Sequence, residues 1–237
     1  MSISATLPSA SLDRAIGFMS WLYEDERGYI EIVAGETDPH KPDKIKLLMP
    51  TRDDPTCINT RRWFYYDPDR PDLIEATAAY VVELASRHGN VFCGVRLYDK
   101  RAKAQNTRKE EYTRPSRVVV IDDAQPDPTI PYTTIVRTSE GSRHAYYKAD
   151  RPVTKDDARR AAAANGGDPS GVDLTQLVRV PGTFDTKNGR RFLVHSEPGQ
   201  APIYRLDDLR AAWPEVASAR GTGAIAALDW PEVEIHL

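Results

Sequence analysis

Cysteine is scarce, with only Cys57 and Cys93 among 237 residues. Two thiols cannot furnish the cysteine set of a structural zinc site, so no zinc is expected. Long hydrophobic runs and a leader pattern are also missing, which points to a cytoplasmic chain with reduced thiols and no membrane partner. Neither sign of charge dominates, because 32 Lys and Arg stand against 35 Asp and Glu, a net −3. That balance excludes coating of nucleic acid by bulk electrostatics and confines any such binding to local patches. No Gly-x-x-x-x-Gly-Lys phosphate loop occurs, which excludes a motor of that type within these residues. There is no internal repeat.

What is present suffices for a substantial core, since a chain of this length buries about 70 to 75% of its unfolded surface without staples. Ser11 stands where it would cap a helix with apolar positions Ala15, Ile16, Met19, Leu22 and Tyr23 at helical spacing. Tyr29 to Val33 reads as a strand. Residues 35 to 61 are rich in Pro, Asp, Thr and Lys, and only Ile45 to Met49 suggests a strand there. Trp63 to Tyr66 is a strand end. Leu73 to Arg87 is a helix stopped by Gly89, and Asn90 to Leu97 is a further strand.

Between Asp99 and Arg117 seven cations, including Lys100, Arg101, Lys103, Arg108 and Lys109, face three acids, a local +4. This basic loop is the candidate nucleic-acid contact, or simply a solvated loop. Val118 to Ile121 then forms an apolar strand that ends on Asp122 and Asp123. Ile135 and Val136 pair with Arg143 to Lys148. Thr154 and Asp157 make a capping box for a helix through Ala164, closed by Asn165 to Gly167. Asp173 to Val178 is a short helix or turn, Arg191 to His195 a strand, and Leu206 to Ala212 a last helix before Pro214. Strands and helices alternate throughout, giving an α/β or α+β class.

Three clusters carry chemistry. Asp122 and Asp123 can hold two magnesium or manganese ions, which activate an attacking oxygen and neutralise a departing pyrophosphate; an acidic pair opening a turn is the plain alternative. Ser142 and His144, two apart on a strand, face one side and can donate to phosphate oxygens, with a structural histidine as the alternative. Asp173, Arg179 and Lys187 supply one more carboxylate and two cations for a triphosphate.

These residues resemble the archaeo-eukaryotic primase (AEP) superfamily, in its plasmid and phage RepB-like primase-polymerase branch. That branch carries hydrophobic-Asp-x-Asp, Ser-x-His, and an Asp preceding Arg-x-Pro-Gly-Thr and a Lys. Here they correspond to Asp122 and Asp123, to Ser142-Arg143-His144, and to Asp173 with Arg179-Val180-Pro181-Gly182-Thr183 and Lys187. The resemblance spans roughly residues 25 to 195. It implies a two-lobed fold within residues 1–215, with an α/β lobe over about 1–110 and an RRM-like catalytic lobe over about 111–200, followed by a tail at 216–237.

It also implies a DNA primase and polymerase of a mobile element or phage, transferring nucleotides from NTPs or dNTPs along single-stranded DNA template and primer. A two-metal site of Mg2+ or Mn2+ would be held by Asp122, Asp123 and Asp173, the incoming nucleotide by Ser142, His144, Arg179 and Lys187, and the helicase would be a separate protein. One departure stands out, because the branch spaces its paired acids by one residue. Adjacent Asp122 and Asp123 point to opposite faces of a regular strand. Either the strand ends or bulges there so that both converge, or Asp127 or Glu140 substitutes, or the site is degenerate. A degenerate site would leave a non-catalytic nucleotide- or DNA-binding replication module. A nicking initiator with Tyr146 or Tyr147 as nucleophile is the third reading, and it lacks the histidine pair such enzymes use.

Overall fold

Residues 10–125, 128, 130–167, 172–198, 202–213 and 215 are described by a computed structural model, so the tail at 216–237 and Asp127 lie outside the described residues. In chain order the strands are β1 (Gly28–Asp38), β2 (Lys41–Leu47), β3 (Arg62–Tyr66), β4 (Asn90–Gly94), β5 (Val118–Asp122), β6 (Thr134–Arg137), β7 (Arg143–Lys148), β8 (Leu177–Arg179), β9 (Phe184–Asp185), β10 (Phe192–Leu193) and β11 (His195–Pro198). The helices are α1 (Leu12–Tyr23), α2 (Pro71–His88), α3 (Lys100–Gln105), α4 (Lys155–Ala164) and α5 (Leu206–Ala212). The class is α+β.

Two larger antiparallel sheets result, beside a two-stranded ladder of β9 and β10. The first has the order β2-β1-β4-β8 with β3 also on β1, and the second runs β11-β6-β7-β5. Period-two alternation decides what each strand buries. In β1, Ile30, Ile32 and Ala34 enter the core under α1 and α2, whereas Tyr29 packs with Tyr98 and Tyr112 on the opposite face. α1 lies between the sheets, with Phe18 and Trp21 both edge-on to Tyr146 of β7 at 5.8 Å. The far face of the second sheet is closed by α4 and α5, where Tyr147 packs against Trp213 at 5.4 Å. Each large apolar side chain buried there contributes about 2 kcal/mol. β8 returns from the second half of the chain to the edge of the first sheet, pairing Phe92 with Arg179 and Cys93 with Val178.

Most helix ends follow the local chemistry. Pro71 opens α2 and Gly89, at φ 77°, closes it. The Thr154–Asp157 capping box is formed, and Arg210 doubly bonds the Asp157 carboxylate at 2.7 and 2.9 Å. Ser11 departs from expectation: its side chain makes no cap bond, and its backbone N–H instead donates to Gly182 O at 2.9 Å.

Other expectations are corrected. The basic stretch is a loop only in part: Lys100–Gln105 forms α3, capped by the Asp99 carboxylate accepting from Arg101 N at 2.8 Å, and a 3-10 turn follows at Glu110–Tyr112, while Arg108 and Lys109 lie between the two. Burial of Ala102 and Tyr112 beside Tyr98 explains why it folds down. β1 runs five residues beyond Val33 to pair with β2, an exposed edge strand whose side chains carry no buried face to read. β4 stops at Gly94. The segment from Asp173 is a turn at Leu174–Thr175 that leads into β8, and Val194 separates β10 from β11. No helix among the described residues is long and apolar enough to cross a membrane.

Candidate functional site

Antiparallel register sets Asp122, the last residue of β5, opposite His144 of β7. Val118 and Val120 pack towards the α1 core and Val119 and Ile121 towards α4, so alternation places Asp122 on the α1 side; His144 shares that side with Tyr146. His144 Nε2 is 3.1 Å from Asp122 Oδ1. This hydrogen bond, outweighing burial, holds the Asp122 carboxyl below its usual range, helped by the Asp123 backbone N–H at 3.0 Å and the charge of Lys187. His144 Nδ1 is buried and has no partner among the described residues.

The adjacency of the two acids is resolved by the backbone. β5 ends at Asp122, and Asp123 adopts a left-handed conformation with φ 49°. Asp tolerates that region better than most residues. Strand alternation therefore lapses, and both side chains line one cavity of about 1110 Å³. Ser142, His144, Arg179 and Lys187 line the same cavity, as does Arg108 from the basic stretch.

Arg179 is nearly enclosed. One guanidinium nitrogen lies 2.9 Å from Asp185 Oδ1, another bonds Asn90 Oδ1, and the group sits 5.0 Å above the Phe92 ring. Burial lowers its pKa while Asp185 and Asp122 oppose that shift. The ion pair fixes the turn that follows, because Asp185 Oδ1 also accepts from Lys187 N at 3.1 Å. Asn90 Nδ2 in turn donates to Thr186 Oγ1 at 2.7 Å.

Asp173 does not line the cavity. Its carboxylate is closed into a local turn, accepting from Thr175 N at 2.8 Å and Thr175 Oγ1 at 2.7 Å. Burial raises its pKa, but the Thr175 bonds outweigh this and leave it lowered. Among the described residues no three His, Cys, Asp or Glu side chains are gathered as metal ligands. The donors present still suit a hard divalent cation, since magnesium is commonly held by one or two carboxylates, with substrate phosphates completing its shell. Glu140 reaches the cavity rim but pairs with Arg190 at 2.7 Å.

Lys100, Arg101, Lys103 and Lys109 lie outside the cavity. Arg101 is tied to Asp99 at 2.6 Å and Lys109 to Glu111 at 3.8 Å, while Lys103 stands over the Tyr29 ring at 5.0 Å. Tyr146 and Tyr147 are fully buried, which removes both as exposed nucleophiles. Sequence reasoning missed Lys44, Asp185, Arg190 and Arg191 on the cavity wall, and Phe92 on its floor. Asp185, Arg190 and Arg191 were within reach, because they flank Lys187 in the motif block. Lys44 and Phe92 carried no signal.

No protein-family model matches the chain, and no curated protein matches it by sequence. Solved structures do. The AEP domain of the cyanophage S-2L primase-polymerase superposes with a TM-score of 0.57 at 13% identity, covering 87% of this chain and all of that one. Primase RepB' gives 0.53 at 12% identity, covering 85% of this chain and 62% of that one. The catalytic domain of primase RepB' in complex with initiator DNA gives 0.52 at 12% identity, covering 85% and 92%. At such identities the likeness establishes the fold alone, and the fold is the AEP primase-polymerase fold that the sequence motifs resemble.

Proposed function

We propose that this chain, which carries the AEP fold, is a metal-dependent nucleotidyltransferase that builds or extends a polynucleotide on a single-stranded DNA template from NTPs or dNTPs. The observation that carries the reading is the convergence of Asp122 and Asp123 with Ser142 and Lys187 in one cavity, from β5, the turn before β7 and the turn after β9. A nucleoside triphosphate needs anionic oxygens matched by cations, and Lys187, Arg190 and Arg191 provide them beside the carboxylates.

In this reading Asp122 and Asp123 hold Mg2+ or Mn2+, which when bound neutralises charge on the departing pyrophosphate and activates the attacking hydroxyl. His144 donates to Asp122 and fixes that carboxylate in its ionised form. Ser142 and Lys187 orient the triphosphate so that its α-phosphate meets the primer hydroxyl. Arg179 acts through Asp185, holding the Lys187 turn in place rather than reaching the phosphates itself. A helicase would be a separate partner.

The test is primer synthesis and primer extension on single-stranded DNA with labelled nucleotides, comparing the chain with Asp122→Ala. Metal-dependent product that vanishes in the variant supports the reading, and equal product from both overturns it. The small ligand set among the described residues favours a second reading, a nucleotide-binding module without catalysis. Triphosphate binding with no extension under magnesium or manganese would select it.

A further inference from the structure

We propose that a track delivering single-stranded DNA to the cavity is entered at an aromatic platform of Tyr65 and Tyr29, passes over the exposed side of α3 and is handed over by Arg108. The proposal rests on the nucleotidyltransferase reading and names the surface its template uses.

Directly opposed residues of an antiparallel sheet share a face. Tyr29 is opposed by Tyr65, Glu31 by Trp63, and Val33 by Phe92, which is in turn opposed by Arg179 in the cavity. One row of side chains thus runs beneath this path from the open edge strand β3 to the cavity, with Glu31 and Val33 buried in its middle and Asn106 bonded over it to Arg61 and Trp63 at 2.9 Å. The distance along β1 from Tyr29 to Val33 is about 13 Å.

The outer end has the chemistry of a base-stacking platform. Tyr65 is 43% exposed and meets the Tyr29 ring edge-on at 5.3 Å, with the Lys103 ammonium 5.0 Å from the Tyr29 centroid. Aromatic faces beside cations bind single strands without sequence preference, because every unpaired base offers a ring face and every nucleotide a phosphate. A duplex hides those ring faces, which is why the occupant is a single strand. Lys100 and Lys103 extend the positive charge along α3, and both are exposed.

The middle of the row is built. Glu31 has no exposed surface, and its carboxylate sits 2.7 Å from Arg61 Nε and 3.4 Å from Arg108 Nε. A buried carboxylate flanked by two guanidinium groups fixes them where exposed arginines would wander. Arg108 is the only one of the five basic-stretch candidates that also lines the cavity, so a single side chain joins the platform to the reaction site.

The experiment uses the full chain and a fluorescent oligothymidylate, reading anisotropy at two salt concentrations. Triphosphate affinity and primer extension are measured on the same preparations. Tyr65→Ala is expected to weaken oligonucleotide binding about tenfold. Tyr65→Trp should retain it, and Lys103→Glu should weaken binding while flattening its salt dependence. Triphosphate affinity should not change in any of the three. Unchanged oligonucleotide affinity in both Tyr65→Ala and Lys103→Glu overturns the track, even if the chain extends primers normally. Conversely, Tyr65-dependent binding in a chain that extends nothing leaves the track standing and removes the nucleotidyltransferase reading.

Discussion

His144 Nε2 and Asp122 Oδ1 meet at 3.1 Å across the rung where β5 ends. Its other nitrogen is buried, and in the proposed reading its contribution is to hold Asp122 rather than to touch a phosphate. His144→Ala should lower metal-dependent extension by about 10- to 100-fold, the usual cost of removing a partner behind a metal ligand. The acid limb of the pH–rate profile should move upward as Asp122 loses the bond that depresses its pKa. Triphosphate affinity measured without metal should stay the same, and a large loss there would return His144 to the nucleotide.

Asp173 makes the opposite case. Its carboxylate bonds only Thr175 among the described residues, and Asp173→Ala should therefore cost about 1 kcal/mol of stability through lost turn hydrogen bonds. Extension should fall by no more than about threefold. Activity lost to the same degree as in Asp122→Ala would mean that the Val172–Thr175 turn swings its carboxylate into the cavity when substrate binds.

Asp185 is the only carboxylate paired with the buried Arg179 among the described residues, at 2.9 Å. Removing it as Asp185→Ala strands a charge in a site with 5% exposure, at a cost of about 3 to 5 kcal/mol. Urea denaturation should show the loss. The double replacement Arg179→Met with Asp185→Leu should recover most of the stability while abolishing extension, because the Lys187 turn loses its anchor.

Glu26 sets a pH dependence. Burial raises its pKa to about 7, against hydrogen bonds from the Arg117 backbone and Ser116 and the charges of Arg96 and Arg117. A carboxyl whose folded pKa lies above its unfolded value contributes stability that is full below about 4.5 and is lost as pH rises through about 7. The loss amounts to about 3 kcal/mol. Glu26→Gln should raise the melting temperature at pH 8 and leave it nearly unchanged at pH 4.5, and equal shifts at both would remove Glu26 as the cause.

Legibility followed burial. β5 could be read because both of its faces are apolar until Asp122 interrupts them, and α4 because its capping box is local chemistry. β2 could not, being an edge strand with solvent on most of its side chains. α3 was hidden by its own charge, since Lys, Arg and Gln carry the helix while only Ala102 is buried. Most of the site was legible as residue types in order, yet its geometry was not. Nothing in an Asp-Asp pair announces the left-handed turn at Asp123 that brings the two carboxylates together. The Asp173-x-Thr175 spacing is shared by a metal ligand before a strand and by a simple side-chain-capped turn, and the spacing alone does not separate them.

The late return of β8 to the first sheet bears on how the molecule is made. A ribosome releases β1 to β4 long before Leu177–Arg179 emerge, and until then β4 presents an unsatisfied edge of Phe92, Cys93 and Gly94 to its surroundings. A nascent chain in that state is a template for aggregation, and pairing across so long a stretch of sequence is slow. Three residues near the reaction site thus also decide when the first half of the protein becomes safe from its neighbours.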